Sequence, residues 1–143
     1  MSNFAIGDHI PRFHLLHSVP PIHRLSTLAT PHDDARGGAN FFVKRDDCGL
    51  IGGGGNKLRK LEFLLGQAIA EGADTVITVG GLQSNHARLT AAAAALAGLK
   101  CELVLTKQVS RHDDDYERNG NVMLDDLFGA ILNIFPDSVD AHQ

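Results

Sequence analysis

Thr75-Val76-Ile77-Thr78-Val79-Gly80-Gly81-Leu82-Gln83-Ser84-Asn85-His86 is the stretch that decides the fold. Its unbroken β-branched run reads as a buried strand, and the two glycines end it. Ser84 then opens a helix predicted to run to about Leu96, with Gly98 as its C-terminal stop. The alanines at 91 to 95 let that helix pack closely.

The same alternation extends to both sides. Upstream, Asn56 is expected to cap a helix in which Leu58, Leu61, Leu64, Leu65, Ala68 and Ile69 recur at helical spacing up to Gly72. Before it, Phe41-Phe42-Val43-Lys44-Arg45 is predicted as a first strand, followed by the glycine cluster Gly49 and Gly52 to Gly55. Downstream come a strand at Cys101 to Thr106, a polar loop through Asp113-Asp114-Asp115, a helix near Asn121 to Phe128 and a strand near Ala130 to Phe135. Apolar strands alternating with helices predict an α/β fold, a parallel sheet with helices on both faces. The first forty residues carry Pro11, Pro20, Pro21, Pro31 and Gly37-Gly38, and so read as an arm with room for one helical turn at Ile22 to Leu28.

Composition narrows the function. The chain has 143 residues, 43% of them apolar, enough for one ordinary core and far from a disordered composition. A formal charge of −4 with scattered basic residues argues against duplex nucleic acid, which needs clustered cations to displace counterions. No apolar run approaches the ~20 residues of a membrane span, and Met1-Ser2-Asn3-Phe4 lacks a secretory pattern, so a cytoplasmic protein is expected. The two cysteines, Cys48 and Cys101, form no disulfide framework or zinc-ligand spacing. The histidines at 9, 14, 17, 23 and 32 fall in the irregular arm without a ligand-like pair, so no metal is expected.

Lys57 is placed oddly for a lysine. Projected at about 100° per residue, it falls inside the arc of Leu61, Leu64, Leu65 and Ala68, whereas Arg59 points to the opposite side. Desolvation, the positive end of the helix dipole and Lys60 three residues on all favour a neutral amine, the nucleophile required for Schiff-base chemistry. The competing reading is a lysine that extends its head to solvent.

Two phosphate motifs are absent. Gly52 to Gly55 followed by Asn56-Lys57-Leu58 lacks the Gly-Lys-Ser/Thr ending of an NTPase loop. The turn at Gly80 to His86 lacks dinucleotide glycine spacing, and the next strand ends in Thr106-Lys107 with no acidic residue. Strand, turn and helix nonetheless place backbone N–H groups and a helix dipole where an anion such as a substrate carboxylate would bind. Helix capping is the other reading of Ser84 and Asn85.

Val43-Lys44-Arg45-Asp46-Asp47, Gly54-Gly55-Asn56-Lys57-Leu58-Arg59-Lys60-Leu61-Glu62-Phe63-Leu64 and Gln83-Ser84-Asn85-His86-Ala87-Arg88 together resemble the D-cysteine desulfhydrase and 1-aminocyclopropane-1-carboxylate deaminase family. The resemblance runs from about Pro20 to about Pro136. It implies the Rossmann-like small domain of a pyridoxal-phosphate enzyme with a tryptophan-synthase-β-like fold. Residues 1–48 would be an arm and first strand of the large domain, 49–143 the small domain, and the remainder of the large domain, with its phosphate loop, would be absent.

By the same resemblance, Lys57 forms the imine to pyridoxal 5'-phosphate and shuttles the proton. Ser84, Asn85 and Gln83 contact the substrate carboxylate, Ser84 and Asn85 beside the cofactor ring, and Lys60 reaches the cofactor phosphate. A small amino acid would lose ammonia and leave a 2-oxo acid, with sulfide also lost from D-cysteine. His86 and Ala87 lean toward the desulfhydrase branch over the deaminase. The loop Cys48 to Gly53 is richer in glycine than the family's usual run. A homodimer, or pairing with a full-length relative, is expected, with weak cofactor binding by this chain alone. A truncated, non-catalytic paralogue is the rival reading.

Overall fold

The structure, a computed structural model, describes residues 10–26 and 39–136. Pro31, Gly37-Gly38, His9, His32 and the tail beyond Pro136 lie outside them. Its main sheet has three parallel strands in the order β3 (Thr75–Gly81), β4 (Lys100–Thr106) and β5 (Ile131–Phe135). Between β3 and β4 runs α2 (Asn85–Ala97), and between β4 and β5 run α3 (Asp114–Arg118) and α4 (Asn121–Leu127). The expected α/β class and parallel sheet are therefore present, with strand bounds within a residue or so of the sequence reading.

Each β–α–β step returns the chain parallel to itself, which requires a crossover helix. Register pairs Val76 with Cys101 and Leu103 with Leu132, so alternate side chains of all three strands share a face. On that face Leu103 and Leu105 are fully buried against Ala87, Ala91 and Ala94 of α2 and Val122 of α4. The alanine run works as expected: short side chains bring α2 close to the sheet. Among the described residues both of these helices lie on this one face. The opposite face exposes Ile77 at 67% and Val79 at 54%, so the expectation of helices on both faces is met on one.

A second apolar cluster joins α1 (Leu58–Ala70) to α2 through Leu58, Leu61, Leu65, Leu89 and Ala93. Two sequence expectations change here. The helix begins at Leu58 with Lys57 as the residue before it, and no side chain caps it, so Asn56 is not its cap. The buried stripe is Leu58, Leu61, Glu62, Leu65 and Gly66, while Leu64 is 54% exposed. Counting apolar residues pulled the stripe toward Leu64 and Ala68. The partner that sets it is the N-terminal arm, which docks on a carboxylate and a glycine.

Glu62, 1% exposed, accepts hydrogen bonds from the backbone N–H of Leu15 and Leu16, both at 2.8 Å, and from Arg12. At Gly66 an added Cβ would lie 2.4 Å from the carbonyl oxygen of Pro11, so arm and helix touch backbone to backbone. Gly66→Ala is expected to push the arm away and lower stability by about 1–3 kcal/mol in urea unfolding, with lost exchange protection at the Phe13 amide. Unchanged protection at Phe13 would contradict that packing.

The segment expected to make a helical turn is instead β1 (Ile22–Arg24), paired antiparallel with β2 (Phe42–Lys44) in a separate two-stranded sheet. The flanking prolines leave extended backbone, and β2 supplies its hydrogen-bond partner. Leu28, at the end of that expected turn, lies outside the described residues.

Candidate cofactor and substrate site

The site candidates come from two turns that meet against α2. The first is the glycine loop before α1. Gly54 has φ +74, and a Cβ there would lie 2.4 Å from the carbonyl oxygen of Asp47, so only glycine closes this turn. Gly55 lies against α2, where a Cβ would meet Leu89 Cδ1 at 2.8 Å. Lys57 follows directly, half-buried, its Nζ donating to Asn56 Oδ1 at 3.0 Å. Lys60 is exposed and makes no hydrogen bond or ion pair among the described residues.

The second turn links β3 to α2. Ser84 is the N-cap in extended backbone, and its Oγ accepts from the N–H of Ala87 at 3.2 Å, so the capping reading holds geometrically. The hydroxyl keeps its own hydrogen for donation. Asn85 accepts from Asn121 Nδ2 through Oδ1 at 2.9 Å, and its own amide hydrogens have no partner among the described residues. As in any helix, the first-turn N–H groups have no partner four residues back.

Gln83 differs from its expected place at the substrate. Its Nε2 donates to the carbonyls of Tyr116 at 2.6 Å and Asn119 at 2.8 Å, and its Oε1 accepts from the N–H of Asn121 at 2.9 Å. With both amide hydrogens engaged, Gln83 is a clasp that ties the β3–α2 turn to α3 and α4.

Sequence reasoning gave His86 no role beyond a branch preference. Its Nε2 lies 2.9 Å from Thr78 Oγ1, and its Nδ1 is buried without a partner among the described residues. Burial holds its pKa below the ordinary value of 6.5, and the charges of Lys60 and Lys57 push the same way. The glycine loop and the Ser84 turn both meet α2, where Gly55 lies against Leu89 and Arg88 donates to the carbonyl oxygen of Gly54 at 2.9 Å. Arg88 and Asn121 were also missed. Arg88 closes the Gln83–Arg88 motif, but nothing local shows its partners, since both residues bridge segments distant in the chain.

Asp125 on α4 is fully buried, and neither carboxylate oxygen has a partner among the described residues. Burial pushes its pKa up to about 7, with the charge of Arg88 pulling the other way. The folded value exceeds the unfolded one, so folding takes up a proton between pH ~4 and ~7. Stability from this group therefore falls as pH rises through that window, by roughly 2–4 kcal/mol, and levels off above it. Asp125→Asn is expected to flatten that limb in urea titrations at several pH values. An unaltered slope would assign the effect to another group.

A separate groove between the arm and the glycine loop is lined by residues including Leu16, His17, Pro21, Cys48, Leu50 and Arg59, but by none of Lys57, Lys60, Ser84 or Asn85. Arg59 there is held by a bidentate pair to Asp46 at 2.7 and 2.8 Å.

Residues 15–143 match the model of the pyridoxal-phosphate dependent enzyme family. The chain belongs to that family. It is 44% identical over 130 residues to a 1-aminocyclopropane-1-carboxylate deaminase of Methylobacterium sp. (strain 4-46), covering 90% of this chain and 38% of the relative. It is 44% identical over 133 residues to a D-cysteine desulfhydrase of Serratia proteamaculans (strain 568), covering 93% and 39%. A solved structure described as an ACC deaminase homologue superposes with a TM-score of 0.75 at 38% identity, covering 93% of this chain and 37% of that one. The chain thus spans under two fifths of the length of these relatives.

The residues present fit the family's cofactor. A lysine amine suits an aldehyde, and a second cation and a helix N-terminus suit anionic groups. Among the described residues no helix is long and apolar enough to cross a membrane.

Proposed function

We propose that this chain carries the lysine half of the site of a cytoplasmic pyridoxal-phosphate-dependent lyase acting on a small amino acid, in the manner of D-cysteine desulfhydrase. The observation that carries this reading is the seating of the glycine loop before Lys57 on the helix that Ser84 and Asn85 open: Gly55 lies against Leu89, and Arg88 donates to the carbonyl oxygen of Gly54 at 2.9 Å. Lys57 is the point of covalent attachment and the base that moves the substrate's α-proton. Ser84 and Asn85 receive the substrate carboxylate through a hydroxyl hydrogen, free amide hydrogens and the N–H groups of the α2 first turn. Lys60 supplies charge for the cofactor phosphate. Gln83 holds the turn in place and does not touch substrate.

When bound, pyridoxal phosphate supplies an electron sink that stabilises negative charge at the substrate's α-carbon. The overall products are ammonia and a 2-oxo acid, with sulfide from D-cysteine. Residues 1–48, with their own two-stranded sheet, are assigned to a large domain and 49–143 to the small one, in an enzyme that forms homodimers or pairs with a longer relative. A deaminase acting on 1-aminocyclopropane-1-carboxylate is the second reading, favoured by relatives of that name at 42–44% identity.

Borohydride reduction in the presence of pyridoxal phosphate, followed by peptide mass mapping, tests the assignment. The label is expected on Lys57 and not on Lys44, Lys60, Lys100 or Lys107. Uniform labelling of all five lysines would refute it.

A further inference from the structure

The loop that delivers Lys57 has no side chains of its own to hold it. Gly52, Gly53, Gly54 and Gly55 all have positive φ, at 57, 79, 74 and 142°. Four such residues in a row lose much conformational freedom on folding, so the loop's shape must be fixed from outside. Its backbone ties, Gly54 N–H to Ile51 O at 2.9 Å and Gly55 N–H to Asp46 O at 2.8 Å, both run back to the preceding turn. Neither reaches α2, where the rest of the site is built.

One side chain makes that connection. Arg88, in the first turn of α2, donates from Nη2 to the carbonyl oxygen of Gly54 at 2.9 Å and from Nη1 to Asn121 Oδ1 at 3.0 Å. Asn121 in turn donates to Asn85 Oδ1 at 2.9 Å and to the carbonyl oxygen of Gln83 at 2.8 Å. Among the described residues, no other side chain hydrogen-bonds to residues 52–55. The loop also lies close to Leu89 and Ala92, but apolar contact is non-directional. A planar guanidinium fork fixes direction at two points at once, which a lysine ammonium does not.

Arg88 keeps this position at a cost. Its Nε is buried without a partner among the described residues. An apolar side chain of similar length would fill the same space without desolvating a charge, so packing alone does not account for an arginine here.

We propose that Arg88 is a positioning residue for Lys57: it holds the Gly54 carbonyl and thereby sets the glycine loop against the Ser84–Asn85 turn. The inference rests on the reading of Lys57 as the cofactor lysine. Arg88 acts through the backbone three residues before the lysine.

Hydrogen exchange of the backbone amides of residues 53–58, measured on the chain without cofactor, tests it with Arg88→Met and Arg88→Lys. In Arg88→Met the loop amides are expected to exchange at least about tenfold faster while β4 amides keep their protection. Lysine trapping by borohydride at limiting pyridoxal phosphate should fall by a similar factor. Arg88→Lys retains the charge and is expected to lie between parent and Arg88→Met; it serves as the folded variant should Arg88→Met unfold. Loop exchange within about twofold of the parent in the folded variant overturns the inference. Trapping at another lysine in the parent chain sinks the Lys57 reading instead, and the functional half of this inference with it.

Discussion

Lys57→Ala is expected to lower trapping of pyridoxal phosphate by borohydride on the order of a hundredfold, because covalent attachment through a lysine amine has no substitute in an alanine side chain. The fold should be indifferent to the change. Lys57 is half-buried, it precedes the first residue of α1, and its recorded partner is its own neighbour Asn56 at 3.0 Å. Thermal unfolding without cofactor should therefore stay within about 0.5 kcal/mol of the parent, as for most substitutions outside a core. Lys60→Ala separates the roles of the two lysines. It removes an exposed charge on the first turn of α1 and should weaken cofactor affinity while leaving the site of attachment at Lys57. Trapping that survives in Lys57→Ala and vanishes in Lys60→Ala would exchange the two assignments.

Glu62→Ala is expected to destabilise the chain by about 3–5 kcal/mol at pH 7, because it removes one side of a buried charged network and leaves the other side unpaired. Most of this loss comes from the buried N–H groups of Leu15 and Leu16, which would have no acceptor; Arg12 remains 42% exposed and can turn to water. Burial by itself would raise the Glu62 pKa, but the bonds from Leu16, Leu15 and Arg12 outweigh it and hold the carboxyl below its ordinary 4.5. A folded value below the unfolded one gives stability that is complete above pH ~4.5 and is lost as pH falls through the folded value. The gap between parent and variant should thus be constant from pH 6 to 8 and shrink in acid. A loss below about 1 kcal/mol at pH 7 in urea unfolding would show that the arm docks by other means.

These two positions show how unevenly the sequence displays its structure. Lys57 stands out in the sequence because its features are local: a glycine run, a lysine and a helix start lie within a few residues. Ser84 was legible for the same reason, as a polar residue between a strand and a helix. Glu62 looked like any charged residue on a helix, since its partners are 46 to 50 positions away. Gln83 misled for the complementary reason. It sits beside Ser84 in sequence, yet its amide faces α3 and α4, which a reading of adjacent residues does not reveal.

The sequence by itself determined the alternation of strands and helices, the parallel sheet, the ends of α2 at Ser84 and Gly98, and the residues able to form a covalent cofactor link. Those features follow from backbone propensity, side-chain period and the chemistry of single residues, all carried within a few positions. The tertiary structure alone decided which face of α1 is buried, that Ile22–Arg24 pairs as a strand, and that Arg88 and Asn121 join the two turns of the site. Each of these depends on partners distant in the chain, and a hydrogen bond or a close backbone approach leaves no periodic trace in the sequence that makes it.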